Sequence, residues 1–187
     1  MTVIYTGAIN GNDTGNTGYT LRNVVAITGN AQGQVRCTFQ GSGSAAFSTN
    51  NCSIGISTGT NADTTATPVE LLFSGRSGFA IGANSQITSD WANLSGFTSS
   101  NLLVVIIDMA ATNGNDGFNA SIVGATGYYH AATASYNNAT TPAGSGSLSQ
   151  FVWALNEIDV QAAAVTPSIV PLNQITTNIG RDMFIGY

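Results

Sequence analysis

Gln34-Val35-Arg36-Cys37-Thr38-Phe39-Gln40 alternates polar and apolar side chains without a break. A period of two belongs to an extended chain, whose successive side chains point to opposite faces. Val35, Cys37 and Phe39 therefore share a core-directed face, with Arg36 and Thr38 on the other. The same grammar recurs on both sides of this segment. Short β-rich runs are separated by clusters of Gly, Asn, Ser and Thr. Candidate strands are Val3 to Ile9, Tyr19 to Ile27, Gln34 to Gln40, Cys52 to Ser57, Val69 to Phe73, Gly78 to Ile81, Gln86 to Ser89, Leu102 to Met109, Asn119 to Val123 and Gln150 to Val160. Two stretches are rich in turn residues, Asn10-Gly11-Asn12-Asp13-Thr14-Gly15-Asn16 and Thr112-Asn113-Gly114-Asn115-Asp116-Gly117.

About ten short strands with polar connections predict an all-β fold, an antiparallel two-sheet β-sandwich of jelly-roll character. The segment from Phe151 to Ala164 has some helical propensity, but Phe151, Trp153 and Leu155 alternate with smaller partners, and it reads as one long strand. Beyond it Pro167 and Pro171 appear and no period persists. Residues 1–164 are thus expected to form the sandwich, and 165–187 a C-terminal arm or linker whose apolar end docks on a surface.

The chain has 187 residues, enough for one domain with a full core. Only 7% of them are charged, against about 25% in an ordinary soluble domain. Lys is absent, and the basic residues are Arg22, Arg36, Arg76 and Arg181. The polar surface must come from Asn, Thr, Ser, Gln and Gly, which hydrogen-bond well and repel weakly, so self-association is a natural outcome. A net charge of −5 with scattered Arg excludes the clustered cations that a phosphate backbone or an anionic membrane requires. The N-terminus, Met1-Thr2-Val3-Ile4-Tyr5-Thr6-Gly7, has neither the positive start nor the apolar run of a leader. An extracellular composition without a leader fits a phage structural protein released by lysis. It fits equally a secreted protein whose leader has been removed.

Cys37 and Cys52 both fall on core-side faces of candidate neighbouring strands. They fit a disulfide, worth about 3 kcal/mol for a loop of this length, or two buried thiols acting as small hydrophobes. Two Cys and one His cannot build a structural zinc site. No cofactor motif is present. Asn113-Gly114-Asn115-Asp116-Gly117 has oxygen donors for a Ca²⁺ but lacks the bidentate Glu of an EF-hand, and reads as an Asx-rich hairpin turn.

The middle of the chain, from Glu70-Leu71-Leu72-Phe73-Ser74-Gly75-Arg76-Ser77-Gly78-Phe79 through Ala80-Ile81-Gly82-Ala83-Asn84-Ser85-Gln86-Ile87-Thr88-Ser89-Asp90, resembles a block that precedes the catalytic domain of some GDSL-type (SGNH) esterases. There an apolar strand, F-x-G, an alternating strand, a tight turn and a Ser-Asp pair follow one another. Leu102 to Ile107, Gly127-Tyr128-Tyr129-His130 and Ser135-Tyr136 resemble later blocks, and Thr20-Leu21-Arg22 with Gln34 to Phe39 the opening strands. The likeness spans about residues 19 to 160. It implies a non-catalytic accessory β-sandwich, of a kind also seen in phage structural proteins. The nucleophile motif that would follow is missing from Ser168-Ile169-Val170-Pro171-Leu172-Asn173-Gln174-Ile175-Thr176.

The residues themselves point away from catalysis. His130 is the one imidazole, so any Ser-His-Asp triad must use it. No G-x-S-x-G elbow is present, and Gly144-Ser145-Gly146-Ser147 reads as a flexible linker. The expected role of His130 is structural, its ring bonded to Asp90 or to a backbone carbonyl at a loop base. Tyr128, Tyr129, His130 and Tyr136 are the candidates for a carbohydrate platform, joined by Arg76, Asp90 and Trp91 if the resembling family's layout holds. Adjacent Tyr128 and Tyr129 point to opposite faces of a strand, so at most one is outward. Trp91 and Trp153 are more often core aromatics than platforms. The function that fits best is a non-enzymatic virion surface protein of a bacteriophage, a capsid decoration, head fibre or spike subunit. Its expected partners are the major coat protein and further copies of itself. The alternative is a carbohydrate-binding module or adhesin that recognises glycans.

Overall fold

Alternation at Val35, Cys37 and Phe39 becomes a strand whose inner face is sealed, each of the three having no exposed surface. The computed structural model describes residues 1–114, 116–132 and 136–162, with the side chains of 112–114 left aside. The proposed arm at 165–187 and the Ser135 of the resemblance lie outside the described residues. Among the described residues the strands are β1 (Thr2–Thr6), β2 (Gly11–Asp13), β3 (Thr20–Ala26), β4 (Gly33–Gln40), β5 (Phe47–Ile56), β6 (Val69–Phe73), β7 (Arg76–Ser77), β8 (Phe79–Ile81), β9 (Gln86–Thr88), β10 (Leu102–Gly114), β11 (Asp116–Ala120), β12 (Thr126–His130), β13 (Gly146–Ser149), β14 (Phe151–Trp153) and β15 (Leu155–Ala162).

One sheet has the order β1-β15-β4-β9, and the larger one runs β13-β12-β3-β10-β5-β6-β7, with β8 on β5. The chain alternates between the two: β1 and β4 in the first, β3 and β5 in the second, then β9 and β15 in the first with β10 in the second. Opposing β1-β15-β4-β9 to β3-β10-β5-β6 is the eight-strand arrangement of a jelly roll. The pairings between strands are antiparallel throughout. A small third sheet, β14-β11-β2, closes one end.

The core lies between the sheets. Ile4, Val35, Cys37, Phe39, Leu155, Ile158 and Val160 meet Leu21, Val25, Phe47, Ile54, Leu71, Leu103, Val105 and Ile107. Phe39, Phe47, Phe73 and Phe79 form a cluster with centroids 4.6 to 5.8 Å apart; three of its contacts are edge-on, the geometry aromatic quadrupoles favour, and Phe39 meets Phe79 at a tilt.

The continuous run from Leu102 to Ile107 is explained by burial on both faces of β10, as expected for a strand with no solvent side. Leu103, Val105 and Ile107 face the main core, while Val104 and Ile106 join Val24, Ala62, Leu102, Tyr128 and Tyr136 in a second apolar cluster. Two loops cover that outer face. Arg22, only 1% exposed, pins them by donating to the carbonyls of Ala62 at 3.0 Å and Asn138 at 2.9 Å. Thr64 N–H to Ala139 O at 2.7 Å and Ala62 N–H to Thr141 Oγ1 at 3.1 Å join the loops to each other.

The single strand expected from Gln150 to Val160 is in fact two. Ala154 takes a left-handed φ of 54°, and the chain leaves the small sheet at Trp153 to enter the four-stranded sheet at Leu155. Asn23, fully buried on β3, completes the open edge of β14. Its Nδ2 donates to Trp153 O and its Oδ1 accepts from Trp153 N–H, both at 2.8 Å. A side-chain amide thus stands where a further strand would otherwise be.

Candidate functional site

The seven residues expected to form one carbohydrate platform fall into separate places. Arg76 and Asp90 come together. Asp90 N–H donates to Leu72 O at 2.7 Å, and its carboxylate accepts from the N–H groups of Ser74 at 3.2 Å and Gly75 at 2.7 Å. This fixes the β6–β7 turn, where Ser74 and Gly75 both have positive φ, and presents Arg76 at its far side. Trp91 turns onto the outer face of the other sheet. There the Arg36 guanidinium stacks 4.7 Å from its ring centroid and pairs with Asp159 at 2.9 Å. Burial, then the neighbouring Asp159 charge, push the Glu157 carboxyl upward.

The tyrosine group lies elsewhere. From β12 to β7 the strand order takes five ladder steps, roughly 24 Å at the usual strand spacing. As alternation requires, Tyr128 and Tyr129 part: Tyr128 packs with Tyr136 on the second apolar cluster, while Tyr129 meets Trp153 edge-on at 6.0 Å. Tyr129 is 36% exposed, the more exposed of the pair, although it is Tyr128 that lies on the outer face of the sheet. Its neighbour Gly127 has the Trp153 ring where a Cβ would stand, 2.3 Å from it. His130 Nδ1 lies 3.2 Å from Ala132 O, a contact with a backbone carbonyl and not with Asp90.

Cys37 and Cys52 are free thiols. Their strands follow one another in sequence but belong to opposite sheets, a correction to their expected side-by-side placement. Both sulfurs are buried, and burial raises both pKa values, the two thiols reinforcing each other at Cys37. Such thiols are poor nucleophiles and poor metal ligands.

The geometry best suited to recognition is the corner around Arg76. An open groove of about 590 Å³ is lined by Thr49, Phe73, Ser74, Arg76, Phe79 and Ile87 among others. Ser77 Oγ donates to Glu70 at 2.6 Å along its rim. Phe73 and Phe79 give it an apolar floor, and the guanidinium and hydroxyls give it a polar edge. Every other described charged side chain is buried or half-buried, so Arg76 and Asp90 are the exposed charges of the described surface. They occupy this one corner.

A second polar constellation was not legible as a unit. Asp13 and Asp116 are direct partners across β2 and β11. Asn16 Nδ2 bridges them at 3.0 Å and 3.2 Å, and the Trp153 indole donates to Asp13 at 2.8 Å. Asp116 is fully buried, and burial, then the Asp13 charge, raise its pKa well above the carboxylate range. Among the described residues, no three of His, Cys, Asp and Glu are grouped to hold a metal. This set has two carboxylates and a carboxamide. Compared with known families and with curated proteins, the chain matches no family model and no curated sequence.

Proposed function

We propose that this chain is a non-catalytic surface component of a virus particle, a bacteriophage capsid decoration, head fibre or spike subunit. In this reading it docks on the major coat protein and turns its sandwich outward. The observation that carries it is the sparsely charged exterior. Arg22, Asp108, Asp116 and Asp159 are buried, Asp13, Asp63, Glu70 and Glu157 are half-buried, Arg36 is paired and stacked, and Arg76 and Asp90 alone stand exposed among the described charged residues. A surface of Asn, Thr, Ser, Gln and Gly allows many copies to crowd without repulsion while keeping their backbones hydrated. Jelly rolls recur in viral coats and in lectins. The resemblance of residues 19 to 160 to an accessory esterase sandwich supports the same non-catalytic role. A closed homo-oligomer, a trimer or ring, follows from such a role. Immunogold electron microscopy of intact particles, with antibody to the recombinant chain, tests the proposal. Label on the outer surface supports it, and label absent until particles are disrupted overturns it.

The groove at Arg76 favours a second reading, recognition of a glycan. An apolar floor with hydroxyl and guanidinium groups at the edge suits the C–H patches and hydroxyls of a sugar. Titration of host polysaccharide against wild type and Arg76→Ala tests it; equal affinities, or no binding to wild type, dismiss it.

A further inference from the structure

The two turn-rich stretches of the sequence, 10–16 and 112–117, meet at the closed end of the sandwich. Asp13 comes from one and Asp116 from the other, paired across the β2–β11 ladder, with Asn16 set between their carboxylates. We propose that Asp13, Asn16 and Asp116 form a binding site for a divalent cation of the Ca²⁺ type, a role independent of the virion reading.

The independent observation is Asp116 itself. It has no exposed surface, and its Oδ2 is buried without a hydrogen-bond partner. A buried carboxylate oxygen left unpartnered is costly, the more so beside a second carboxylate. The donors present are few: Asn16 Nδ2 serves both carboxylates, the Asp116 N–H turns toward its own carboxyl, Thr14 N–H reaches Asp13 Oδ1 at 2.8 Å, and the Trp153 indole reaches Asp13 Oδ2. No described Arg is shown paired with the two acids: the Arg36 guanidinium is engaged with Asp159, Arg22 with the loop carbonyls, and Arg76 lines the groove.

A bound cation resolves all of this at once. It takes the free Oδ2 of Asp116 and an oxygen of Asp13. A half-turn of the Asn16 carboxamide exchanges its NH₂ for its carbonyl oxygen, adding a third ligand. The donor set is all oxygen, which selects a hard cation over zinc or copper. Ca²⁺ accepts six to eight oxygens in flexible geometry, completed by loop carbonyls and water, whereas Mg²⁺ demands a stricter octahedron. Charge neutralised there would tie β2 to β11 and, through the indole, to β14.

Trp153 supplies the readout. Tb³⁺, a Ca²⁺ mimic, emits when excited through an indole held beside it. The full chain is titrated with TbCl₃ and then with CaCl₂, and its melting temperature is compared in CaCl₂ and in EGTA. The expected result is saturable sensitised emission at one ion per chain, displaced by Ca²⁺. At Ca²⁺ about one hundred times its Kd, the melting temperature rises by about 5–10 °C. Asp116→Asn, a neutral isostere, weakens binding by about tenfold or more, and Asp13→Asn does the same should Asp116→Asn fail to fold. No sensitised emission together with identical melting in CaCl₂ and EGTA overturns the site. So does binding that is unchanged in both variants, or a thermal shift matched by NaCl of equal ionic strength.

Discussion

Replacing Asn23 by Ala removes the carboxamide that completes the edge of β14. Asn23 is fully buried, and so is the Trp153 peptide it serves, with both hydrogen bonds at 2.8 Å. Truncation leaves the Trp153 N–H and C=O without partners where water does not easily reach. Each orphaned buried group costs about 1–3 kcal/mol, so the pair amounts to about 4 kcal/mol. With a urea m-value of about 2 kcal/mol/M, the unfolding midpoint falls by about 2 M. Melting falls by about 8–16 °C for a domain of this size. Urea titration followed by tryptophan fluorescence and by far-ultraviolet circular dichroism measures the change. Asn23→Asp is the internal control: it keeps an acceptor for Trp153 N–H, turns the donor into a second acceptor, and buries a charge. It should cost at least as much as Ala. If Asn23→Ala unfolds within about 0.5 kcal/mol of wild type, the range of an ordinary surface change, the carboxamide is not acting as a surrogate strand.

Three other outcomes follow from the same geometry. Burial pushes the Asp108 carboxyl up to about 6, partly opposed by its hydrogen bond from Thr20 and by Arg22. The native state therefore holds a proton that the unfolded chain has already released, so acidification favours folding through that interval. Relative to Asp108→Asn, wild type should gain about 2–3 kcal/mol in urea titrations in EGTA between about pH 7 and about pH 4; a flat or opposite difference contradicts the shift. Cys37 and Cys52 should resist a thiol reagent in the native protein and both react in denaturant without reductant, whereas no reaction in denaturant would reveal a disulfide. Gly78→Ala should destabilise by about 2–4 kcal/mol in the same urea assay, because φ is 63° and the new Cβ would lie 2.4 Å from the Thr49 and Asn50 carbonyl oxygens. Wild-type stability there would show that the β7–β8 corner yields.

How far the sequence could be read depends on where each signal lies. Val35, Cys37 and Phe39 announced both a strand and its inner face, because burial on one side imposes a period of two. Leu102 to Ile107 announced a strand but not why both its faces are apolar; the covering loops at Ala62 and Asn138 are far away in sequence. Gly11–Asp13 and the start of Asp116–Ala120 looked like turns, since Gly, Asn and Asp are poor strand formers, whereas Asn119 onward already read as a strand. Their pairing to each other is a long-range contact that outweighs that preference. Nothing in Ala154 marks a left-handed φ, so the break between β14 and β15 was hidden.

The candidate site was legible only in pieces. The opposite facing of Tyr128 and Tyr129 follows from alternation alone, and the structure bears it out. The distance between those tyrosines and Arg76 does not, because strand order, which no local pattern encodes, sets it. Asp13 and Asp116 were each visible as loop carboxylates; their meeting depends on the same missing information. Arg36 over Trp91 lay hidden for a related reason, since that contact depends on β9 and the segment after it lying beside β4, where Val35 bridges Ala92.

The central claim, that this chain is a repeated surface component of a particle, is tested most directly by quantitative mass spectrometry of particles purified from the source culture. Copy number is measured against the major coat protein. The account predicts many copies per particle in a fixed ratio to the coat protein, retained through a density gradient. Recovery of the chain only in the soluble fraction would contradict it.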